Sequence, residues 1–425
     1  MGPDQHAQLD GFSLFLPFPY RVAVILVAGF WGWGANLQYL SRANIVGCAP
    51  PFPLIYRESR KEQYAYCFQD LPALVRYPAR QTPQQPPHHT STYRLATLLT
   101  APLLLSLLIF WVFTHGSAER VESLDFIPQS YLFIFFILLI LPTNRLSRSG
   151  RSRFLGTLRR ISVGGLAEAQ DGKFGDILLA DALTSYSKVL GDLYVTFCMF
   201  FTADISSTSK PNRSCGNDYM VPIIIAVPSM IRLRQCLTEY LRVRRAGQRG
   251  ENKGAQHLAN ALKYATAFPV IILAAKLRNY NPLEFYGFSE MSLSRLLAFF
   301  TFVNSAYSFY WDVSKDWDLT LFTPSRADAD CPYGLRRHRF FSDRLYYAAI
   351  LADLLIRFSW VSRFFPGFVW LSEKEFGIFL LMAFEVARRW MWVFFRAEAE
   401  MIRNSRGPAT DDILLGEFNG KLDAD

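Results

Sequence analysis

Residues 376–396 read FGIFLLMAFEVARRWMWVFFR, a stretch that is apolar enough to cross a bilayer but holds two adjacent arginines, Arg388 and Arg389. A charged residue at the centre of a membrane helix costs about 2.5–3.5 kcal/mol on insertion scales, so such residues usually face a cavity, a counter-charge or an anion. The stretch therefore predicts a membrane helix that lines part of an anion path.

The composition of the whole chain also indicates a membrane protein. Of its 425 residues 51% are hydrophobic, 16% are aromatic and only 19% are charged, whereas soluble chains carry about 25% charged residues. Apolar runs of about 20 residues recur along the chain. We expect an all-α polytopic membrane protein, a bundle of about nine to ten transmembrane helices. Nine spans are predicted, near Tyr20–Leu40, Tyr93–Thr114, Ile127–Thr143, Asp176–Ala203, Tyr219–Cys236, His257–Leu277, Ser292–Trp311, Asp343–Val361 and Phe376–Arg396.

Four regions follow from these spans. Residues 1–19 form a short N-terminal segment, residues 20–175 contain the first helices and their loops, and residues 176–403 contain the core helices that form the anion path. Residues 404–425 are polar and are expected to be a disordered cytosolic tail. Residues 78–92, rich in Pro and Gln, predict an exposed flexible connection.

Charge and cysteine usage exclude several functions. The formal net charge is +9, but Lys and Arg lie mainly in short loops and at helix ends, so topology explains the charge better than nucleic acid does. The six cysteines occur singly, and neither a metal site nor a disulfide framework can be assigned to them. No cofactor is expected. The absence of HExxH and GxSxG motifs gives no support to an enzyme.

The distribution of basic residues orients the second half of the chain. Loops near Arg145–Arg160, Arg232–Lys253 and Lys315–Arg339 are rich in Arg and Lys and should face the cytosol. The segment Asp204–Asp218 is then lumenal. It contains Asn212 in an Asn-Arg-Ser acceptor pattern for N-glycosylation, which can be used only on that side. Nine spans place the N-terminus in the lumen.

Polar residues recur inside the predicted spans. On the fourth span Asp181, Thr184, Ser185, Lys188 and Asp192 would share one face of a continuous helix. Such a face should contact protein or water, although hydrogen bonds between helices would also explain the hydroxyl groups.

Two further spans carry ionisable groups towards the cytosolic side. Lys263 and Tyr264 lie in the sixth span, where the lysine either lines the path or extends to the lipid headgroups. Asp312 and Asp316 close the seventh span. These carboxylates either pair with arginines of neighbouring helices or act as gate charges.

The last two spans supply the cations. Arg357 lies in the eighth span, and Arg388 and Arg389 share one face of the ninth with Glu385. A planar guanidinium can contact two phosphate oxygens at once, which makes phosphate a suitable anion. A structural Glu–Arg pair would explain one cation, but three cations in two adjacent apolar spans favour a role in anion handling.

Four strings carry a resemblance to a known family. The sequences NALKYATAF (260–268), YSFYWDVSKDWDL (307–319), LIRFSW (355–360) and EVARRWMWVFFRAEAE (385–400) resemble the EXS domain, the membrane domain of eukaryotic phosphate exporters. The resemblance runs from about residue 12 to residue 404. It implies ten spans, and residues 146–163 are the candidate for the additional helix. It also implies a phosphate path that uses Asp181, Thr184, Ser187, Lys263, Tyr264, Asp312, Asp316, Arg357, Trp360, Glu385, Arg388 and Arg389.

One position departs from the family pattern, because Thr184 stands where the exporters are expected to have asparagine. A hydroxyl still donates a hydrogen bond to phosphate.

Only about 20 residues precede the first span, so the chain resembles the short branch of the family, similar to the fungal ER-retention-defective protein of the Golgi. That resemblance implies a Golgi membrane protein that returns lumenal phosphate to the cytosol and supports retention of glycosyltransferases and ER lumenal proteins. Expected partners are inorganic phosphate, the lipid bilayer, Golgi glycosyltransferases or their recycling adaptor, and a second copy of the chain. The alternatives are a scaffold that transports nothing, and a location in the plasma membrane or the ER.

Overall fold

The computed structural model describes residues 9–42, 88–141, 148–166, 173–202, 206–245, 254–281, 289–328 and 332–405. Within these ranges every regular element is a helix and no strand forms. The predicted all-α class is therefore confirmed.

Fifteen α-helices occur in this part of the chain. The first six are α1 Gly11–Phe15, α2 Phe18–Arg42, α3 His88–Thr114, α4 Ala118–Ser123, α5 Phe126–Ile140 and α6 Arg148–Arg159. The other nine are α7 Lys173–Ser185, α8 Ser187–Phe201, α9 Met220–Arg245, α10 Ala255–Ala265, α11 Ala267–Arg278, α12 Glu290–Trp311, α13 Asp343–Arg357, α14 Trp370–Glu373 and α15 Glu375–Ser405. Short π-helices follow α6 and α12, at Arg160–Gly164 and Asp312–Asp316.

Several of these helices are suited to a membrane. Five segments of the described chain are long and apolar enough to span one, and they are Phe18–Tyr39, His89–Thr114, Ala118–Ile140, Met220–Arg245 and Ala255–Arg278. The other predicted spans also form helices, which are less apolar, shorter or interrupted. The chain is thus a polytopic helical membrane protein.

Helix α2 connects the two halves of the bundle. On one side it shares an apolar core with α3 and α5, which includes Tyr20, Leu99 and Leu132. On the other side it packs against α8 and α15. A Cβ atom at Gly32 would lie 2.2 Å from the ring of Trp390 on α15. Glycine therefore permits the close approach of α2 and α15, as small residues do in membrane bundles.

Two of the predicted spans are interrupted at a single residue, and in the fourth span this interruption overturns the single polar face predicted along a continuous helix. The fourth span breaks at Tyr186 between α7 and α8, and the sixth breaks at Thr266 between α10 and α11. At the first break the hydroxyl of Thr184 donates to the carbonyl of Asp181, and that of Ser187 donates to the carbonyl of Thr184. Such local bonds compete with the regular helical ladder.

Several polar contacts lie together at one end of the bundle. At one end Arg21 of α2 pairs with Glu375 of α15 at 2.8 Å, and the Ser206 hydroxyl donates to Asp125, which precedes α5. Cys198 and Cys215 form a disulfide at this end, which the sequence analysis did not assign. We call it the disulfide end. Disulfides persist in oxidising compartments, which agrees with the lumenal side predicted for residues 204–218.

Within the candidate segment 146–163, residues 148–159 form helix α6, and the first π-helix follows it. Its Arg151 is buried and donates to the Leu138 carbonyl at 2.7 Å. The segment is not among the helices long and apolar enough to span a membrane. At the C-terminus α15 continues to Ser405. The remainder of the predicted tail and most of the predicted flexible connection lie outside the described residues.

Candidate anion site

Arg388 of α15 lies at the centre of a buried charge network. It donates to Asp353 of α13 at 2.8 Å and to Asp312 of the second π-helix at 3.3 Å. Arg357, at the end of α13, also donates to both carboxylates, with 3.2 Å between its Nε and Asp353. Both aspartates are fully buried. Two arginines and two aspartates thus neutralise one another inside the bundle.

Lys263 of α10 extends this network towards the end opposite the disulfide. Its ammonium lies 3.0 Å from Asp312 and 3.3 Å from Asp316. Asp316 in turn lies 3.7 Å from Nε of Arg396. The lysine is buried, so the interpretation that it extends to the headgroups is wrong. The interpretation that Asp312 and Asp316 pair with basic side chains of neighbouring helices is confirmed.

A second group of polar side chains surrounds Asp181 on α7. Its Oδ1 accepts hydrogen bonds from Nε of Arg232 at 2.7 Å and from the Tyr264 hydroxyl at 2.5 Å. The guanidinium of Arg232 also stacks on the Tyr264 ring, 4.9 Å from its centroid. One carboxylate oxygen of Asp181 is therefore bound by both α9 and α10.

Arg389 differs from the other arginines of the network. Its Nε donates to Ser185 at 2.9 Å and its Nη2 donates to Thr184 at 3.2 Å. The guanidinium lies 4.6 Å from the ring centroid of Trp392. Within the described residues no carboxylate pairs with Arg389, and its buried Nη1 has no hydrogen-bond partner. One strong donor of this side chain is thus unsatisfied.

Glu385 lies beside the two arginines of α15. It accepts two hydrogen bonds from Arg388, at 2.9 and 2.6 Å, and one from the Ser185 hydroxyl at 2.7 Å. Its side chain keeps 35% of its surface exposed, whereas that of Arg388 keeps 1%. Glu385 is therefore the accessible carboxylate of the network.

Three predicted residues form no hydrogen bond or ion pair with the charged side chains of this network in the part of the chain that the structure describes. Ser187 donates to the carbonyl of Thr184. Trp360 lies on the 3-10 turn Ser359–Phe364 with its ring 6.0 Å from Phe364, and its indole N–H has no partner among the described residues. Asn212 is exposed at the disulfide end, where its Oδ1 accepts from the backbone N–H of Ser214.

Three contributing residues were missed by the sequence analysis. Asp353 lies four residues before Arg357 in an apolar helix, and that spacing was a usable signal. Arg232 was assigned to a cytosolic loop, because the length of α9 beyond it was not recognised. Ser185 was noted only as part of a helix face, and a sequence carries no signal for its contact with Arg389.

The charges of the network balance. At the centre of the network five basic side chains lie among five carboxylates. They are Arg232, Lys263, Arg357, Arg388 and Arg389, with Asp181, Asp312, Asp316, Asp353 and Glu385. Arg396 and its partner Glu400, beside Asp316, add one charge of each sign. The arrangement offers guanidinium and hydroxyl donors to an oxyanion, and carboxylates that compete with it.

The helices are interrupted around this network. The breaks at Tyr186 and Thr266, the π-helix at Asp312–Asp316 and the end of α13 at Arg357 all lie beside its members. In membrane proteins, irregular backbone at membrane depth occurs where it is buried in protein or lines a cavity, and π-helical turns are frequent at functional sites. The interruptions thus mark the same region as the charges.

Comparisons with known proteins agree with these observations. The family model described as "EXS family" matches residues 16–402. The chain is 32% identical to "Protein ERD1 homolog 1" of Schizosaccharomyces pombe over 66% of this chain and 69% of that protein. It is 25% identical to "Protein ERD1 homolog 2" of the same yeast over 90% and 96% of the two chains. It is also 29% identical to "Solute carrier family 53 member 1" of Mus pahari, over 68% of this chain and 41% of that protein.

Proposed function

The chain belongs to the EXS family, and we propose that it carries inorganic phosphate across the Golgi membrane from the lumen to the cytosol. One relative bears the name of a solute carrier, which supports a transport function. The proposed substrate rests on the chemistry of the site. Guanidinium groups bind phosphate oxygens in pairs, and hydroxyl groups supply further donors.

The observation that carries the proposal is the unsatisfied Nη1 of Arg389. The side chain is 5% exposed, and its other contacts are to neutral hydroxyl groups and an aromatic ring. Burying a charge without an opposite charge is costly, and an unmade hydrogen bond of a buried donor costs about 1–3 kcal/mol. An oxyanion bound beside Arg389 would remove both costs.

The carboxylate of Glu385 would compete with phosphate for the same donors, and this competition would allow phosphate to be released. It occupies two donors of Arg388 and the Ser185 hydroxyl, which are groups that phosphate would also use. A phosphate entering at Arg389 would displace the Glu385 carboxylate from Arg388, and the returning carboxylate would expel it. Transport needs binding that is weak enough to permit release.

The charged groups beyond Arg388 give the order in which phosphate would contact the side chains of the bundle. Asp312 and Asp353 hold Arg388 and Arg357, and Lys263 lies beyond them towards the opposite end. Phosphate would pass from Arg389 and Arg388 to Arg357 and then to Lys263. At Arg388, Arg357 and Lys263 each step would exchange a carboxylate partner for a phosphate oxygen, so these three cations would keep a negative partner throughout.

The test is phosphate uptake into liposomes that contain the full-length chain. Arg389→Gln removes the unpaired cation and should lower the flux by at least tenfold, which corresponds to about 1.4 kcal/mol. Arg403→Gln is the matched control, because Arg403 lies on the same helix and pairs with Glu400. An Arg389→Gln protein that inserts normally and keeps its flux would refute the proposal.

We also propose that retention of glycosyltransferases and ER lumenal proteins depends on this removal of lumenal phosphate. The rival scaffold would act through the cytosolic tail, residues 404–425. Truncating the chain after Ser405 distinguishes the two proposals. A transporter without the tail should still carry phosphate and still support retention of the enzymes. Loss of retention with unchanged flux would favour the scaffold.

A further inference from the structure

Ser185 of α7 joins a donor and an acceptor of the candidate anion site. Its Oγ accepts a hydrogen bond from Nε of Arg389 at 2.9 Å and donates one to Oε1 of Glu385 at 2.7 Å. The guanidinium and the carboxylate are therefore held on either side of a single oxygen atom. Glu385 and Arg389 are also four residues apart on α15, a spacing that places two side chains next to each other on a helix. A ligand beside Arg389 thus lies next to a negative group as well as a positive one.

The carboxylate of Glu385 can accept further hydrogen bonds. Among the described residues it receives two from Arg388 and one from Ser185, whereas the two oxygens of a carboxylate offer about four lone pairs. Its side chain is also partly exposed. An ionised carboxylate has no hydrogen to donate. Glu385 can therefore bind a ligand only through a hydrogen that the ligand itself carries.

Small oxyanions differ in whether they carry such a hydrogen. Phosphate keeps an O–H group at neutral pH, whereas sulfate, an anion of similar size and shape, is fully deprotonated. Phosphate can therefore accept from the guanidinium of Arg389 and donate to Glu385 at the same time. Sulfate can only accept, so its oxygens would lie against the negative carboxylate with no hydrogen between them. A site built to hydrogen-bond a hydroxyl of its ligand strongly rejects an analogue that lacks it.

We propose that Glu385 makes the site selective for oxyanions that carry a hydrogen, such as phosphate, over fully deprotonated ones, such as sulfate. This inference rests on the proposed transport of phosphate and adds the basis of its selectivity. Glu385 then has two effects. Its negative charge competes with every oxyanion for Arg388, and its lone pairs favour an oxyanion that can donate a hydrogen bond.

The test compares four anions in liposomes that contain the full-length chain. Arsenate carries a hydrogen as phosphate does, and selenate lacks one as sulfate does, while arsenate and selenate are similar in size. Each unlabelled anion competes with labelled phosphate at equal pH and ionic strength, and the initial uptake is measured. Phosphate and arsenate should inhibit at concentrations about tenfold lower than sulfate and selenate do. Equal inhibition by arsenate and selenate would overturn the proposal without any variant.

The variant Glu385→Gln tests whether this residue causes the selectivity. The side-chain amide of glutamine both donates and accepts hydrogen bonds, so it can face sulfate as well as phosphate. The ratio of the half-inhibiting concentrations of sulfate and phosphate should fall from about tenfold to about twofold. Glu119→Gln is the matched control, because Glu119 is an exposed glutamate of α4 and should leave the ratio unchanged. The full ratio in Glu385→Gln would assign the selectivity to another residue and overturn the proposal.

The same selectivity can be measured without transport. A ligand that binds the folded protein raises its thermal unfolding midpoint, so each anion is also added to the purified full-length chain at equal concentration and ionic strength. Phosphate and arsenate should raise the midpoint more than sulfate and selenate do. A chain that shows this preference but carries no phosphate would contradict the transport proposal alone. A chain that carries phosphate but binds the four anions equally would contradict the selectivity alone.

Discussion

Glu385 and Arg388 lie one turn apart on α15 and share two hydrogen bonds, from Nε to Oε2 at 2.9 Å and from Nη2 to Oε1 at 2.6 Å. This is the bidentate geometry with which arginine also binds phosphate. The Ser185 hydroxyl donates to the same carboxylate. In this conformation Glu385 thus occupies donors suited to an oxyanion.

Removing that carboxylate charge should strengthen phosphate binding. In Glu385→Gln the competitor for Arg388 is neutral, while Asp312 and Asp353 still balance the arginine. Hydrogen bonds to charged groups contribute about 1.5–3 kcal/mol, so we expect KM for phosphate to fall by at least threefold and the maximal flux to fall with it. The dependence of liposome flux on phosphate concentration measures both.

Glu400→Gln is the control for this variant, since Glu400 pairs with Arg396 and Arg403 further along α15. It should leave KM for phosphate within twofold of the unchanged chain. A raised KM in Glu385→Gln would mean that Glu385 positions Arg388 and does not compete with the anion.

Some of this site could be predicted from the sequence, and some could not. Glu385, Arg388 and Arg389 share a face of one unbroken helix, so periodicity was sufficient to group them. The contact between Arg388 and Asp353 joins residues on different helices, and no local pattern specifies it. The break at Tyr186 was not predicted either. It is accompanied by side-chain hydroxyl groups that donate to nearby backbone carbonyls, and these bonds compete with the regular hydrogen bonds of the helix. As a result Lys188 was grouped with Asp181, although the two residues lie on different helices, α8 and α7.

The disulfide was not predicted from the sequence for a related reason. The chain contains six cysteines, and spacing alone does not pair them. Cys198 lies in the last turn of α8, and Cys215 lies in the following segment, 17 residues later. Only the fold of residues 206–219 against α8 brings the two together.

The disulfide should stabilise the protein. Closing a loop of this length contributes about 3 kcal/mol in the chain-entropy description. Cys198→Ser with Cys215→Ser should therefore lower the thermal unfolding midpoint in detergent by several degrees. Cys236→Ser is the control, because Cys236 is a free buried cysteine on α9. An unchanged midpoint in the double variant would show that the bond adds no stability.

Glycosylation of Asn212 would report which side of the membrane this segment faces. The residue is exposed and lies three positions before Cys215. If this end faces the lumen, the chain expressed in yeast cells should migrate faster on a gel after glycosidase treatment, and Asn212→Gln should abolish the change. A cytosolic location of the segment would leave both proteins unglycosylated, and the predicted orientation would then be wrong.

A side chain at Gly32 should be incompatible with the close packing of α2 against α15. A Cβ atom there would lie within 2.2–2.7 Å of three ring atoms of Trp390, so Gly32→Ala requires the helices to separate. Overpacking of this kind costs about 1–3 kcal/mol. Gly156→Ala is the matched control, because a Cβ at Gly156 on α6 meets nothing within 4 Å. Gly32→Ala should lower the thermal midpoint, whereas Gly156→Ala should not. Equal midpoints would contradict the packing described for α2.

Asp353 should be essential for stability because it is fully buried between two arginines. Asp353→Asn leaves Arg357 and Arg388 with one carboxylate fewer, and breaking a buried pair from one side costs about 3–5 kcal/mol. Arg357→Gln alone should also destabilise the chain, since it leaves Asp353 and Asp312 undercompensated. The double variant removes one charge of each sign and should lose less stability than the two single losses added together. Thermal midpoints of the four proteins in detergent measure this coupling. Strictly additive losses would show that Asp353 and Arg357 do not act as a pair.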